Sequence, residues 1–187
     1  MTVTTDAVPT DAPAAGASAL DPSALVVRRA RTGDVRAMRD LIEPYVERRI
    51  LLGKELVTLF EAVQEFVVAE RDGQIVGCGA LHVLWEDIGE VRTIAVAEGA
   101  LGHGVGDAML EALEQRAIDL GLSRLFCLTF ETAFFGRHGY IEVAEQVVSP
   151  DVFAELVRSP DGGMAEFLDL AHVKPNTLGN TRMLKRL

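Results

Sequence analysis

Apolar and polar residues alternate along this chain in two rhythms. From residue 35, Val35, Met38, Leu41, Ile42 and Tyr45 recur in steps of three and four, which predicts one buried face of a helix over VRAMRDLIEPYVERRILL. Thr32, Gly33 and Asp34 supply a capping signal in front of it, and Pro44 allows a bend or an early end. Val105, Ala108, Met109, Ala112, Leu113, Ala117 and Leu120 repeat the same rhythm and predict a second amphipathic helix, ending at Gly121. A short helix is expected around LVTLFEAVQ, and another in ETAFFGRHGY, turning at Gly139.

The other rhythm is that of strands. LVVRRAR opens the ordered chain, and EFVVAERDGQIVGCGALHVLW reads as two apolar runs joined at Arg71-Asp72-Gly73, a hairpin turn. EVRTIAV follows as a strand, SRLFCLTF is a continuous apolar strand of the buried kind, and YIEVAEQVV returns as one more. AEFLDLAHV is a further strand candidate. The order β–α–α–β–β–β–α–β–α–β predicts an α/β (α+β) architecture, a mixed sheet with helices packed on it, without the regular alternation of a doubly wound fold. Residues 1–24, rich in Ala, Thr, Pro and Asp, are expected to be a disordered tail, and residues 25–187 a single domain.

Charge narrows the function. Lys plus Arg number 18 against 28 Asp plus Glu, a net charge of −10 and a pI near 4.8, which argues against a nucleic-acid partner. An anion held by backbone amides stays compatible with that balance. Cys78 and Cys127 both lie in apolar strand-like runs and read as buried thiols, which fits a cytoplasmic protein. The first 25 residues lack an apolar h-region, and no apolar run of 18 residues occurs, so neither a signal peptide nor a membrane partner is expected. The four histidines and two cysteines show no short ligand spacing, so no metal is expected, and no Gly-x-Ser-x-Gly elbow occurs.

The chemistry concentrates at Gly102-His103-Gly104-Val105-Gly106, between a strand and a helix. Glycine costs about 1 kcal/mol relative to alanine inside a helix, so three at one junction indicate a backbone that something must approach closely. The first amides of a helix have no internal partner and its dipole favours negative charge there, so the junction is an anion site. A P-loop would continue Gly-Lys-Ser/Thr, whereas Gly106 is followed by Asp107 and Ala108. The dinucleotide fingerprint also fails, because its third glycine would fall on Asp107 or Met109.

Leu101-Gly102-His103-Gly104-Val105-Gly106 resembles the pyrophosphate loop Gln/Arg-x-x-Gly-x-Gly/Ala of the GNAT N-acetyltransferases, and the likeness extends from about Val26 to Val143. Leu101 stands where that family has a basic or amide residue. CGALHVLWEDIGEVRTIAV, LFCLTFETAFFGRHGY and GNTRMLKRL further resemble the acetyltransferase domain of the N-acetylglutamate synthase family. The resemblance implies a mostly antiparallel sheet flanked by helices, a substrate-side C-terminal extension, acetyl-CoA as co-substrate, and an amino-acid acceptor, glutamate with glutamine as an alternative. Other amines, a non-catalytic acetyl-CoA-sensing module and a homodimer all stay open.

The same resemblance implies roles for individual residues. Ile94, Ala95 and Val96 would pair with the pantetheine arm, one of their amides serving as oxyanion donor. The loop from Leu101 through Gly102, His103, Gly104 and Val105 to Gly106 would hold the pyrophosphate, with His103 exposed to solvent. Phe134 and Phe135 occupy the place of the tyrosine that protonates the thiolate in many GNAT enzymes, and Phe135 would contact the cofactor. Tyr140 reads as a core residue. Glu90 and Glu131 are the two candidates for the base that takes a proton from the ammonium. Lys54, His82 and Arg92 are the candidate cations for an acceptor carboxylate, His82 standing where a lysine is expected. Asn180 and Thr181 match the end of the family's Arg-Asn-Ser, whose arginine is replaced by Gly179.

Overall fold

The structure, a computed structural model, describes residues 25–169 and 179–187. The expected disordered tail and the end of the AEFLDLAHV segment, residues 170–173, lie outside the described residues. Seven strands form one sheet: β1 (Val26–Arg29), β2 (Phe66–Arg71), β3 (Gln74–Trp85), β4 (Ile88–Val96), β5 (Arg124–Thr129), β6 (Ile141–Glu142) and β7 (Thr181–Arg186), in the order β1-β2-β3-β4-β5-β7-β6. Every pairing is antiparallel except β4 with β5. The helices are α1 (Val35–Glu47), α2 (Leu56–Glu61), α3 (Val105–Asp119), α4 (Thr132–Arg137), α5 (Pro150–Leu156) and α6 (Gly162–Phe167).

The two rhythms of the sequence account for the layers. Leu110, Leu113 and Ala117 of α3 pack with Leu81, Val91 and Leu125 on one face of the sheet. Met38 and Ile42 of α1 pack with Val68, Cys78, Ala80 and Ala95 on the other. Farther along that second face, Phe167 of α6 and Leu156 of α5 close over Leu84, Ile88, Phe126 and Leu184, with the Phe126 and Phe167 rings edge-on at 4.8 Å. The β2–β3 hairpin turns at Asp72 and Gly73, whose φ values of 53° and 75° are those of the Asp-Gly turn read from the sequence.

Two expectations need correction. The strand expected over YIEVAEQVV is limited to Ile141 and Glu142, which pair only with Leu184 and Met183 in the middle of β7, the strand that lies between β6 and β5. Ala165 to Phe167, expected in a strand, lie in α6, where Asp161 caps the helix by accepting a hydrogen bond from the Met164 amide at 3.0 Å. Helix α5, which the spacing of apolar residues does not predict, starts at a cap and first-turn signal in Ser149 and Pro150, the Ser149 hydroxyl accepting from the Val152 amide.

Two irregularities of the sheet create the site. Strand β5 pairs with β4 only from Ile88↔Arg124 to Glu90↔Phe126, and beyond that the two strands are unpaired. On the opposite edge of β4, the register slips between Cys78↔Ala95 and Ala80↔Arg92, so three steps of β4 face two of β3. This bulge centres on Thr93, which has φ 56°, an uncommon value for a β-branched residue. The slip lets Val91 and Ile94 pack on the α3 side while Ala95 packs beneath α1.

Candidate active site

The opening between β4 and β5 holds a cavity of about 440 Å³. Thr93, Ile94 and Val96 line one side, Leu128 and Thr129 the other, and Gly102, Gly104, Val105 and Gly106 the end where α3 begins. Gly102 and Gly104 both sit at φ 75°, which L side chains rarely adopt, so the chain turns sharply into α3 with its first amides presented at the cavity. A side chain at Gly106 would bring its Cβ to 3.3 Å from the Phe134 ring, so the glycine keeps backbone and ring in contact. Leu101 lines the cavity and is half exposed, Val105 is buried, and exposed His103 turns its ring nitrogen Nδ1 to the Leu101 carbonyl at 2.8 Å. Loop and cavity together fit a long anionic ligand with its charged end at the helix start.

The cavity has features that the sequence did not disclose. The Tyr45 hydroxyl donates to the Val96 carbonyl at 2.6 Å and accepts from the Val96 amide at 3.3 Å, so both polar groups of Val96 are already engaged. Ala95 is 1% exposed in the α1 core, while Ile94 lines the cavity. Arg137, at the end of α4, lines the cavity, stacks over Phe134 at 4.7 Å and pairs with Asp107 at 2.9 Å. Arg137 and then His138 hold the Asp107 carboxyl below the ordinary carboxylate range. Phe135 borders the cavity from the core, edge-on to Phe134 and to Tyr140 at 5.1 Å each. Tyr140 is buried and is not among the lining residues, in keeping with a core role.

On the other side of the sheet lies a smaller cavity of about 100 Å³, lined by Lys54, Glu90, Arg92, Glu166 and Asn180. It shares Ile50, Leu51, Val91, Thr93 and Leu128 with the larger one, so the two meet at the bulge. Glu90 is 5% exposed and accepts a hydrogen bond from Arg92 Nε at 2.6 Å. Burial pushes its carboxyl above the ordinary value of 4.5, against the opposing pull of Arg92. The Arg92 guanidinium also bonds Asp161 at 2.9 and 3.2 Å and lies against the Gly163 backbone. Burial resists ionisation of Asp161, but Arg92 prevails and holds its carboxyl low.

The remaining candidates divide. Lys54 borders the smaller cavity and makes no ion pair with the described residues, and the buried Asn180 Oδ1 has no hydrogen-bond partner among them. His82 and Thr181 line neither cavity: His82 Nδ1 is paired with Glu65 at 2.9 Å, and Thr181 pairs with Thr129 at the start of β7. Glu131 is exposed and borders the larger cavity, away from Glu90. Among the described residues no cluster of His, Cys, Asp or Glu could hold a metal ion, and no helix is long and apolar enough to cross a membrane.

A parted sheet with a glycine-lined cavity on one side and a buried carboxylate on the other is an arrangement that suits an acyl-group transferase of the acetyl-CoA-binding kind. Comparison with known proteins places it: residues 35–140 match the Acetyltransferase (GNAT) family, and the chain belongs to that family. It is 59% identical over 162 residues to an amino-acid acetyltransferase of Mycobacterium tuberculosis, covering 85% of this chain and 92% of the relative. The structure of Rv2747 from M. tuberculosis, in complex with CoA and NLQ, superposes with a TM-score of 0.84 at 58% identity, covering 87% of this chain and 99% of that one. N-acetylglutamate synthase from Neisseria gonorrhoeae, complexed with coenzyme A and N-acetyl-glutamate, gives a TM-score of 0.70 at 27% identity, covering 87% of this chain but 35% of the synthase.

Proposed function

We propose that the chain transfers the acetyl group of acetyl-CoA to the α-amine of L-glutamate, and of L-glutamine as well, the reaction that opens arginine biosynthesis. The observation that carries this is the meeting of two cavities at the β4 bulge, with Glu90 on the side away from the glycine loop. When bound, acetyl-CoA supplies an acetyl thioester ready for attack by a neutral amine. The amides of residues 102–106 and Arg137 would hold its phosphates, and an amide of residues 94–96 would donate to the carbonyl oxygen. Glu90 is the base this arrangement favours, since a buried carboxylate of raised affinity for protons faces the acceptor cavity, whereas Glu131 lies on the donor side.

Charge supply supports glutamine. Arg92 is committed to two carboxylates, so among the described residues Lys54 is the cation left for a substrate carboxylate. One cation suits an α-carboxylate, and the side-chain amide of glutamine needs none, while its N–H₂ would satisfy Asn180 Oδ1. The test is release of free CoA from acetyl-CoA with each L-amino acid and with a lysine peptide. Turnover confined to glutamate and glutamine is the expected result. Turnover only with the peptide or another amine would replace the acceptor, and CoA binding without turnover would replace enzyme by sensor.

A further inference from the structure

We propose that His82, held by Glu65, is the group through which Glu90 passes its proton to solvent, a positioning and relay residue rather than a binder of the substrate carboxylate. The inference rests on Glu90 being the base. A base that is 5% exposed and reloaded at every turnover needs an exit for the proton it takes. His82 is the direct cross-strand partner of Glu90, so the two side chains stand on the same face of the sheet within about 5 Å at Cβ. The His82 side chain retains 21% exposure and Glu65 27%, so the pair reaches water where Glu90 does not.

The other neighbours are unsuited. From β4, Arg92 is permanently protonated, and ahead of α6, Asp161 is held as a carboxylate by Arg92. From β5, burial and the charge of Glu90 push the Cys127 thiol well up, so it neither takes nor gives a proton at neutral pH. Lys54 and Glu166 border both the smaller cavity and the neighbouring one of about 670 Å³. Arg116 lies within electrostatic reach of Glu65 and adds positive charge there. With Nδ1–H donating to Glu65 Oε1, the neutral ring carries its lone pair on Nε2. The proton then moves from the ammonium to Glu90, from Glu90 to Nε2, directly or across one water, and from the imidazolium to solvent. Glu65 steadies the cation in between. The amine nitrogen gains the acetyl carbon, the thiolate leaves with the C–S electron pair, and the second proton that the nitrogen sheds on becoming an amide passes to that thiolate.

The experiment compares His82→Ala, Glu65→Gln and Glu90→Gln by steady-state kinetics from pH 6 to 9, with acetyl-CoA affinity and melting temperature confirming intact protein. His82→Ala is expected to lower kcat by about 30- to 100-fold, at the low end of acid–base contributions. Both KM values should stay within about twofold, and added imidazole should raise kcat in proportion to its neutral form. Glu65→Gln should give a smaller drop of the same kind. A kcat for His82→Ala within threefold of the parent overturns the relay, as does a lost kcat that imidazole cannot raise. Full activity of Glu90→Gln would instead remove the base, and an inactive Glu90→Gln beside an active His82→Ala would keep the base and remove the relay.

Discussion

Gly163 gives the sharpest test of how the acceptor side is held. A Cβ built there would lie 2.7 Å from Arg92 Nη2, 2.9 Å from Arg92 Cζ and 3.0 Å from Asp161 Oδ1, all inside normal contact. Its neighbour Gly162 would place a Cβ with nothing within 4 Å. Both residues lie in the first turn of α6, so an alanine at either gains up to about 1 kcal/mol of helix preference. At Gly162 that gain stands alone. At Gly163 it is opposed by overpacking, typically about 1–3 kcal/mol. The obstacle cannot swing away cheaply, because the guanidinium is tied to Glu90 at 2.6 Å and to Asp161 at 2.9 Å, and Asp161 Oδ1 also caps α6. Each charge-assisted bond lost costs roughly 1.5–3 kcal/mol.

The expected outcome is therefore opposite signs from one chemical change. Gly162→Ala should be neutral to about 1 kcal/mol more stable, and Gly163→Ala about 1–2 kcal/mol less stable, read as urea midpoints and as a melting-temperature drop of about 2–8 °C. In kinetics, Gly163→Ala should raise the amino-acid KM by about tenfold and leave acetyl-CoA affinity unchanged. Equal stability and equal kinetics for the two variants would refute the reasoning.

Two further predictions concern Glu90 and Tyr45. A carboxyl whose folded pKa is raised makes the fold less stable as pH climbs from 4.5 through the folded value, and glutamine does not titrate. The stability of Glu90→Gln relative to the parent should accordingly grow across that window and be flat below it; urea midpoints at pH 4, 6 and 8 measure this, and a constant difference contradicts it. Tyr45→Phe frees both polar groups of Val96 for the pantetheine amides, so acetyl-CoA should bind about 2- to 10-fold tighter by calorimetry, the worth of one hydrogen bond. Unchanged affinity would mean that the arm pairs elsewhere on β4.

Much of this fold was legible because the chain keeps strict periods where it is long and buried. Helices α1 and α3, the hairpin at Asp72-Gly73 and strands β3 to β5 follow directly from spacing. The region after Tyr140 did not, since α5 and α6 have seven and six residues and their apolar positions are too few to separate the two rhythms. Their capping signals, Ser149-Pro150 and Asp161-Gly162, were the readable cue. In the site, the glycine loop and Glu90 were visible as types at positions. Partners distant in sequence were not: Asp161 reaches Arg92 across 69 residues, Tyr45 reaches Val96 across 51, and Glu65 holds His82 across 17.

The bulge links these parts, and its trace was in the sequence. In Glu90-Val91-Arg92-Thr93-Ile94-Ala95-Val96, a regular strand would set residues 91, 93 and 95 on one face. The apolar beat instead runs 91, 94, 96, one step late at Thr93. That extra residue turns Glu90 and Arg92 to the α6 side while Ile94 and Val96 face the larger cavity. An in-register strand would set residues 90, 92, 94 and 96 all on one face. Moving one residue out of the ladder, into the φ 56° conformation of Thr93, divides them between the two cavities that share Thr93 beside the opening between β4 and β5.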